Sequence, residues 1–127
     1  MSIEDTPIQL TIPAVPRLLR IARVTAASMA AELPFTLQDI EDLRVAVDEV
    51  AAVVIDGCDG ASSLELTMAV DGDRVVIKGL VRGAGDLAEL HPVARDLLDL
   101  LADAYAFDDD GGDRSFTLTK RVQGVDG

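Results

Sequence analysis

The sequence predicts an α+β fold, a two-layer α/β sandwich in which three helices lie on one face of a mostly antiparallel sheet. Short stretches with apolar residues at every second position indicate strands, and longer stretches with apolar residues at every third or fourth position indicate helices. The strands come in pairs joined by tight turns, which makes them antiparallel neighbours, and the helices are then expected together on one face. Residues 1–122 are expected to form this single domain and residues 123–127 a frayed tail.

Prolines separate the first strand and the first helix. Residues 6–12 alternate polar and apolar side chains, which is typical of an edge or outer strand, and Pro13 and Pro16 end it. Over residues 17–33 the apolar spacing changes to three and four residues, which predicts a helix. Pro34 closes this helix, because a proline in a helix interior removes a backbone hydrogen bond.

The second helix has signals at both of its ends. Thr36 opens it, and Asp39 follows three residues later in a capping-box-like arrangement. The apolar period continues to about Ile55, and Gly57 then supplies a stop. This helix is therefore the longest that the sequence predicts.

The second half of the chain adds four strands and the third helix. The four strands are expected at residues 64–70, 74–81, 105–108 and 114–122. The tight turn Asp71-Gly72 joins the first two of them, and the turn DDDGGD joins the last two. Pro92, at a first-turn position, begins the third helix, which is expected to run through Ala104.

The composition of the chain excludes several kinds of partner. With 23 acidic and 11 basic residues the formal net charge is −12, so the surface repels nucleic-acid phosphates, and aromatic residues are too few (3%) for base stacking or for anything but an aliphatic core. No apolar run approaches the length of a membrane span, and the N-terminus MSIEDTP lacks a signal sequence. The single cysteine, Cys58, cannot form an internal disulfide, and these observations together favour the cytoplasm.

Three short stretches carry a resemblance to a known family. They are ARVT at residues 22–25, DLRVAVDE at residues 42–49 and LTKRV at residues 118–122. In these stretches and in the order of its elements, the chain resembles the anti-sigma-factor serine kinases of the RsbW and SpoIIAB type. Those kinases belong to the histidine-kinase-like ATPases of the GHKL superfamily, so the resemblance implies a Bergerat-type fold.

The resemblance also implies where an ATP site would lie. The family's glutamate that activates the attacking hydroxyl matches Glu49, although this residue can equally be interpreted as a partly solvated helix carboxylate. The magnesium-binding asparagine falls at Val53, which offers no oxygen to a hard cation. The adenine-reading aspartate falls at Val81, while the two glycines of its box match Gly83 and Gly85.

Two further parts of the family's ATP site are altered. The second glycine box would fall near His91 and Val93, but no glycine lies between Gly85 and Gly111. The lid over the nucleotide is reduced to about residues 86–90, whose carboxylates would repel phosphate. We therefore expect a scaffold that has lost ATP and magnesium.

A stripe of three arginines stands out on this acidic chain. Arg17, Arg20 and Arg23 recur at every third residue, and a solvated helix face is their simplest interpretation. In the resembled family, however, the arginine that matches Arg23 contacts the sigma factor and also the antagonist, a STAS domain, that displaces it. Because the forked guanidinium suits carboxylates at an interface, we expect the stripe to bind a protein partner.

Three functions remain open at this point. The first is an anti-sigma factor or related partner-switching regulator, which would mask a sigma factor by stoichiometric binding until an antagonist releases it. The second is an active ATP-dependent serine kinase in which Glu49 is the base and Gly83 and Gly85 approach the nucleotide. The third is a dimerisation or adaptor domain without a sigma partner. Since the related kinases are dimers, the resemblance also implies a homodimer.

Three other features have structural interpretations. His91, the one histidine, is expected to be a helix N-cap or a surface residue. Cys58, just beyond a helix end, is expected to be an inert thiol. Residues 108–110 (DDD) lack the twelve-residue ligand pattern of a calcium loop, so they are interpreted as a solvated hairpin turn.

Overall fold

Five antiparallel strands form one sheet, and three helices cover one of its faces. A computed structural model describes residues 7–123. The strands are β1 (Ile8–Pro13), β2 (Ser63–Asp71), β3 (Arg74–Val81), β4 (Ala104–Asp108) and β5 (Arg114–Arg121). The helices are α1 (Leu19–Ala30), α2 (Leu37–Ile55) and α3 (Pro92–Leu101). The predicted fold class and the predicted order of elements are confirmed.

Small parts of the predictions lie outside the described range. These are residue 6 of the first strand, residues 1–6 of the domain and residues 124–127 of the tail. Within residues 7–123 no helix combines the length and the apolar character that crossing a membrane requires.

The sheet has the strand order β1-β2-β3-β5-β4, so β1 and β4 form its two edges. The position of β1 confirms the predicted edge strand. Along β2 and β3 every second side chain is buried, and these side chains face the helices. The core between sheet and helices is aliphatic as expected, and Phe116 is the one buried aromatic side chain among the described residues.

Helix α2 lies at the centre of the helical layer. Its predicted capping box is confirmed, since the Thr36 hydroxyl accepts from the Asp39 backbone N–H at 3.0 Å and the Asp39 carboxylate accepts from the Thr36 N–H. Gly57 has a φ of 78° just beyond the C-cap, a conformation that suits glycine at a helix stop. The buried side of α2 carries seven apolar residues: Leu43, Ala46, Val47, Val50, Ala51, Val54 and Ile55.

The predicted end of the third helix is wrong. Helix α3 ends at Leu101, because Ala104 already pairs with Thr119 as the first residue of β4. The Leu101 carbonyl accepts a hydrogen bond from the ammonium group of Lys120, a buried residue of β5. A cation is favourable at the C-terminus of a helix, so this contact stabilises the observed stop.

Other predicted boundaries also differ from the structure. The first strand includes Pro13, which pairs with Ser63 instead of ending the strand before it. The first helix begins at Leu19 instead of residue 17, since Pro16–Leu18 form a 3-10 turn, and it ends at Ala30, where residues 31–34 form turns. In the β2–β3 hairpin Asp71 pairs with Arg74. The two turn residues are therefore Gly72 and Asp73, one position later than predicted.

A glycine in the central strand makes room for the buried aromatic ring. Gly79 of β3 lies directly opposite Phe116 of β5. A Cβ atom added to Gly79 would overlap the edge of the Phe116 ring. The absence of a side chain at Gly79 is therefore a packing requirement of the core.

Replacing Gly79 by alanine should destabilise the fold. Overpacking of this kind costs about 1–3 kcal/mol in the free energy of unfolding, and the central strand cannot retreat without losing pairs on both sides. Urea denaturation of Gly79→Ala measures the loss. Adding Phe116→Leu to that variant should recover part of it, and equal stability of Gly79→Ala and the unchanged protein would contradict the prediction.

Candidate functional site

A shallow cleft lies between the C-terminal half of α2 and the segment that leads into α3. Its volume is about 210 Å³. The residues that line it are Glu49, Ala52, Val53, Asp56, Ala88, Glu89, Leu90, His91 and Ala94. Sites that hold a drug-sized or nucleotide-sized ligand measure about 300–1,000 Å³. The cleft thus unites Glu49, Val53 and His91, which were singled out in the sequence, with residues 88–90 of the reduced lid, in a space that is small for a nucleotide.

Asp48 and Glu49, two adjacent carboxylates of α2, face different parts of the protein. Asp48 accepts a hydrogen bond from the Arg23 guanidinium of α1 at 2.7 Å, and both side chains are partly exposed. Glu49 is partly exposed in the cleft, where it makes no hydrogen bond or ion pair with any residue in 7–123. Successive residues of a helix project about 100° apart, so the two carboxylates cannot act as a paired acid site.

The cleft carries an excess of negative charge. Three of its lining residues are carboxylates, namely Glu49, Asp56 and Glu89, and no lysine or arginine lines it. A phosphate charge about 6 Å from one carboxylate would be repelled by about 0.7 kcal/mol in water and by about 3 kcal/mol at an effective dielectric constant of 20. A triphosphate would meet this repulsion several times over.

The N-terminus of α3 offers few free donors to an anion. The His91 Nδ1 atom accepts from the Val93 backbone N–H at 3.1 Å, which confirms His91 as the N-cap of α3. Pro92, the first helical residue, has no N–H. Since anions bind helix N-termini through free N–H groups, these two residues remove donors that a phosphate would need.

The glycine turn after β3 is anchored to the β4–β5 hairpin. Gly83 and Gly85 have φ values of 67° and 84°, in the left-handed region that glycine tolerates. The Gly83 N–H donates to the Asp113 carboxylate at 2.8 Å, and the Gly85 N–H donates to the Gly112 carbonyl at 2.9 Å. The backbone N–H groups of both glycines are therefore occupied within the chain.

Neither Val81 nor the two glycines line the cleft. The Val81 side chain is fully buried in the core, and its backbone pairs with Arg114. Of the positions matched to the family's ATP site, Glu49 and Val53 meet His91 and lid residues 88–90 around the cleft, whereas Val81, Gly83 and Gly85 lie outside it.

Arg114 joins the C-terminal end of α2 to the glycine turn after β3, and no feature of the sequence predicted this contact. Its Nη1 atom donates to the Val54 carbonyl at 3.2 Å and to the Asp56 carbonyl at 2.7 Å, at the C-terminal end of α2. Its Nε atom donates to the Gly85 carbonyl at 3.3 Å. One half-buried guanidinium thus links the helix end to the glycine turn, in a position where the negative end of the helix dipole favours a cation.

The acidic turn between β4 and β5 has a structural role. Oxygen atoms of Asp108, Asp109 and Asp110 converge, the one such group of possible metal ligands found among residues 7–123. The Asp109 carboxylate accepts from the Leu87 N–H at 2.9 Å. This contact holds the segment after the glycine turn against the hairpin. Asp109 and Asp110 lie in the turn as interpreted, whereas Asp108 is the last residue of β4 and pairs with Ser115.

The arginine stripe lies on the outer side of the first helix and on the turn before it. Arg17 belongs to the 3-10 turn, whereas Arg20 and Arg23 belong to α1. Arg17 and Arg20 are exposed, and neither forms an ion pair within the described part of the chain. Arg23 is the partly buried member that binds Asp48. Val24 follows Arg23 and lies one helical turn after Arg20, and its exposed fraction is 58%.

Comparison with known proteins identifies similar chains. No family model matches this sequence. It is 32% identical over 71 residues to the serine-protein kinase RsbW of Halalkalibacterium halodurans, covering 55% of this chain and 44% of that protein. It is 28% identical over 100 residues to the serine-protein kinase RsbW of Bacillus velezensis, covering 76% of this chain and 61% of that protein. The chain thus spans about half the length of the curated relatives that it matches.

A solved structure extends the likeness to the fold. The crystal structure of the RsbU and RsbW domains of a Mycobacterium tuberculosis protein superposes with a TM-score of 0.67 at 20% sequence identity. The match covers 91% of this chain and 32% of that one. The chain has an RsbW-like fold, and the resemblance found in the sequence is confirmed.

Replacing Arg114 by methionine should loosen the glycine turn. The variant keeps the length of the side chain but loses the hydrogen bonds to Val54, Asp56 and Gly85. We expect a loss of about 1–3 kcal/mol in the free energy of unfolding, since the donor is charged. Hydrogen exchange at the amides of residues 83–87 should become faster.

Arg95→Met is the matched control, because Arg95 is an exposed arginine of α3. It should leave both the stability and the exchange rates unchanged. Unaltered exchange at residues 83–87 in Arg114→Met would show that the arginine does not hold the turn.

Proposed function

We propose that this chain is a partner-switching regulator of transcription, which acts in the cytoplasm by binding a sigma factor or an anti-sigma antagonist without using ATP. The fold and the sequence similarity to RsbW serine-protein kinases support the regulatory class. We infer the loss of ATP use chiefly from the hydrogen bonds of the Arg114 guanidinium, which join the end of α2 to the glycine turn.

The chemistry around the cleft supports the same conclusion. A bound nucleotide would need oxygen ligands for magnesium, free backbone donors for phosphate and an acceptor for the adenine amino group. Val53 offers no ligand, and Val81 is a buried hydrocarbon that offers no acceptor. The N–H groups of Gly83 and Gly85 are already bonded to the hairpin. A nucleotide would have to break these internal bonds, so each new bond would bring little net gain.

The outer side of α1 is the surface that we propose for the partner. It combines an exposed valine, Val24, with the exposed guanidinium groups of Arg17 and Arg20. Arginine and apolar side chains are enriched in the centre of protein interfaces. Such a surface suits a partner that presents carboxylates beside an apolar patch. The partners that the resemblance implies are a sigma factor and a STAS-domain antagonist. A homodimer stays a prediction of that resemblance.

The ion pair between Arg23 and Asp48 adds a constraint on this surface. Because Asp48 already holds Arg23 at 2.7 Å, a partner carboxylate would have to compete with it or to share the guanidinium. A guanidinium has five N–H donors, so sharing is chemically feasible. We propose that Asp48 orients Arg23 for the partner, while Arg17 and Arg20 supply the accessible charge.

A serine kinase is the second candidate, and the position of Glu49 favours it. Glu49 reaches the cleft and forms no ion pair with any described residue, so a general base would be available. An adaptor without a sigma partner is the third candidate. Nucleotide binding separates the second candidate from the first, and charge reversal on α1 separates the third.

We expect no saturable binding of nucleotide. Titration with a fluorescent ATP analogue in magnesium buffer should give no saturation up to about 1 mM, where the binding free energy is only about −4 kcal/mol. An RsbW kinase measured under the same conditions is the positive control. Saturable binding in the micromolar range would refute the loss of the site and revive the kinase.

Reversing the accessible charges of Arg17 and Arg20 should weaken partner binding. The double variant Arg17→Glu, Arg20→Glu should weaken binding to a co-encoded sigma factor or STAS-domain antagonist by about tenfold or more, as expected for arginines near an interface centre. Arg23→Glu should do the same. Pull-down followed by calorimetric titration measures both.

Two control variants test whether the loss of partner binding is specific to the arginines of the stripe. Arg95→Glu makes the same charge change on α3 and should leave this binding unchanged. Asp48→Asn removes the ion pair but keeps Arg23, so it should change binding less than Arg23→Glu does. An adaptor that uses another surface would be indifferent to all the α1 variants, and that result would end the present proposal.

A further inference from the structure

Helix α3 has more apolar side chains than the core can bury. Leu98 and Leu101 are buried, but Val93 and Leu100 are 67% and 78% exposed, and Leu97 is half-buried between them. Val93, Leu97 and Leu100 are spaced by four and three residues, so they form one continuous row along the helix. Single exposed apolar residues are common, whereas a row at helical spacing indicates a surface for a partner. We call these three residues the α3 row.

Carboxylates border the α3 row on its outer side. Asp96 is three residues after Val93 and four before Leu100, so it lies beside both of them on the helix surface. Asp99 lies next to Asp96 on that side and accepts a hydrogen bond from the Tyr105 hydroxyl at 2.6 Å. This hydrogen bond raises the pKa of the Tyr105 phenol and keeps the carboxylate in place against β4.

Two further carboxylates lie in the cleft beside α3. Glu89 and Glu49 line the cleft together with Ala94 of α3. The one cation of α3, Arg95, is two residues from both Val93 and Leu97, and that spacing places it on the far side of the helix. This surface is therefore an apolar row bordered by negative charge.

We infer that the α3 row is a docking surface for a cationic amphipathic segment of another protein, with apolar residues to cover Val93, Leu97 and Leu100 and with lysine or arginine to face Asp96 and Asp99. This inference does not depend on the proposed function. Its partner is opposite in charge to the partner proposed for α1, and α2 packs against both α1 and α3.

Charge decides between the possible occupants of the α3 row. A second copy would place the same acidic border against itself, and the formal charge of −12 on each chain would oppose the contact. An anionic membrane surface would be repelled for the same reason. A basic amphipathic helix satisfies both the apolar row and the acidic border, because its apolar side can cover the row while its cations face the carboxylates.

Two synthetic helical peptides test the inference. Both have about 14 residues with leucine at helical spacing, and they differ only in carrying lysine or glutamate at the other positions. Fluorescence anisotropy with the full chain should show saturable binding of the lysine peptide and none of the glutamate peptide. Leu100→Ser should weaken binding of the lysine peptide by about tenfold, and Asp96→Asn by about two- to fivefold.

Leu37→Ser is the matched control, because Leu37 of α2 is 87% exposed and lies outside the α3 row. It should leave binding unchanged, which separates docking on the row from general attraction to an acidic protein. Equal weakening in Leu37→Ser and Leu100→Ser, or no saturation by the lysine peptide up to about 100 µM, would overturn the inference. So would a dimer in sedimentation, or adsorption to anionic vesicles, that Leu100→Ser abolishes.

Discussion

The burial of one side of α2 is the constraint on which the rest of the structure depends. Val47, Val50 and Val54 are fully buried, and the helix packs against α1, α3 and the strands of the sheet. Because this side cannot turn away from the core, the two flanks of the helix have fixed directions. One flank presents Asp48 to α1 and the other presents Glu49 to the cleft. The positions of the arginine stripe and of the cleft thus both depend on the burial of the same side of α2.

The glycine turn after β3 and the segment that follows it are held in place by hydrogen bonds within the chain. The turn after β3, the hairpin between β4 and β5 and the end of α2 would all leave polar backbone groups exposed if they stood alone. In this chain they satisfy one another, through Arg114, Asp113 and Asp109. Groups satisfied inside the chain gain little from a ligand that must first displace their partners. The three carboxylates of the cleft act in the same direction by repelling phosphate.

The net charge of the chain conceals two different surfaces. The outer side of α1 presents Arg17 and Arg20, whereas the outer side of α3 presents Asp96 and Asp99 beside an apolar row. Electrostatic complementarity at an interface contributes chiefly to specificity and to the rate of association. A regulator that works by exchanging partners would benefit from both, since surfaces of opposite sign select different partners without competing for the same residues.

The sequence by itself determined what depends on neighbouring residues. Alternating and helical apolar periods, the Thr36–Asp39 capping box, the Gly57 stop and the His91 cap are all local, and each was predicted and is observed. Where a distant partner intervened, the local pattern was misleading. Alanine favours a helix at residue 104, but pairing with Thr119 makes it the start of β4.

The tertiary structure alone decided the arrangement of the site. Arg114 bonds to carbonyl groups at Val54 and Asp56, close to sixty residues earlier in the chain, and no periodicity in the sequence connects such positions. The exposure of the α3 row was equally invisible, because an apolar period predicts that a helix has an apolar side but not how much of that side the core can cover. Burial is a property of the whole packed layer, so only the assembled fold shows which apolar and polar groups are left for a partner.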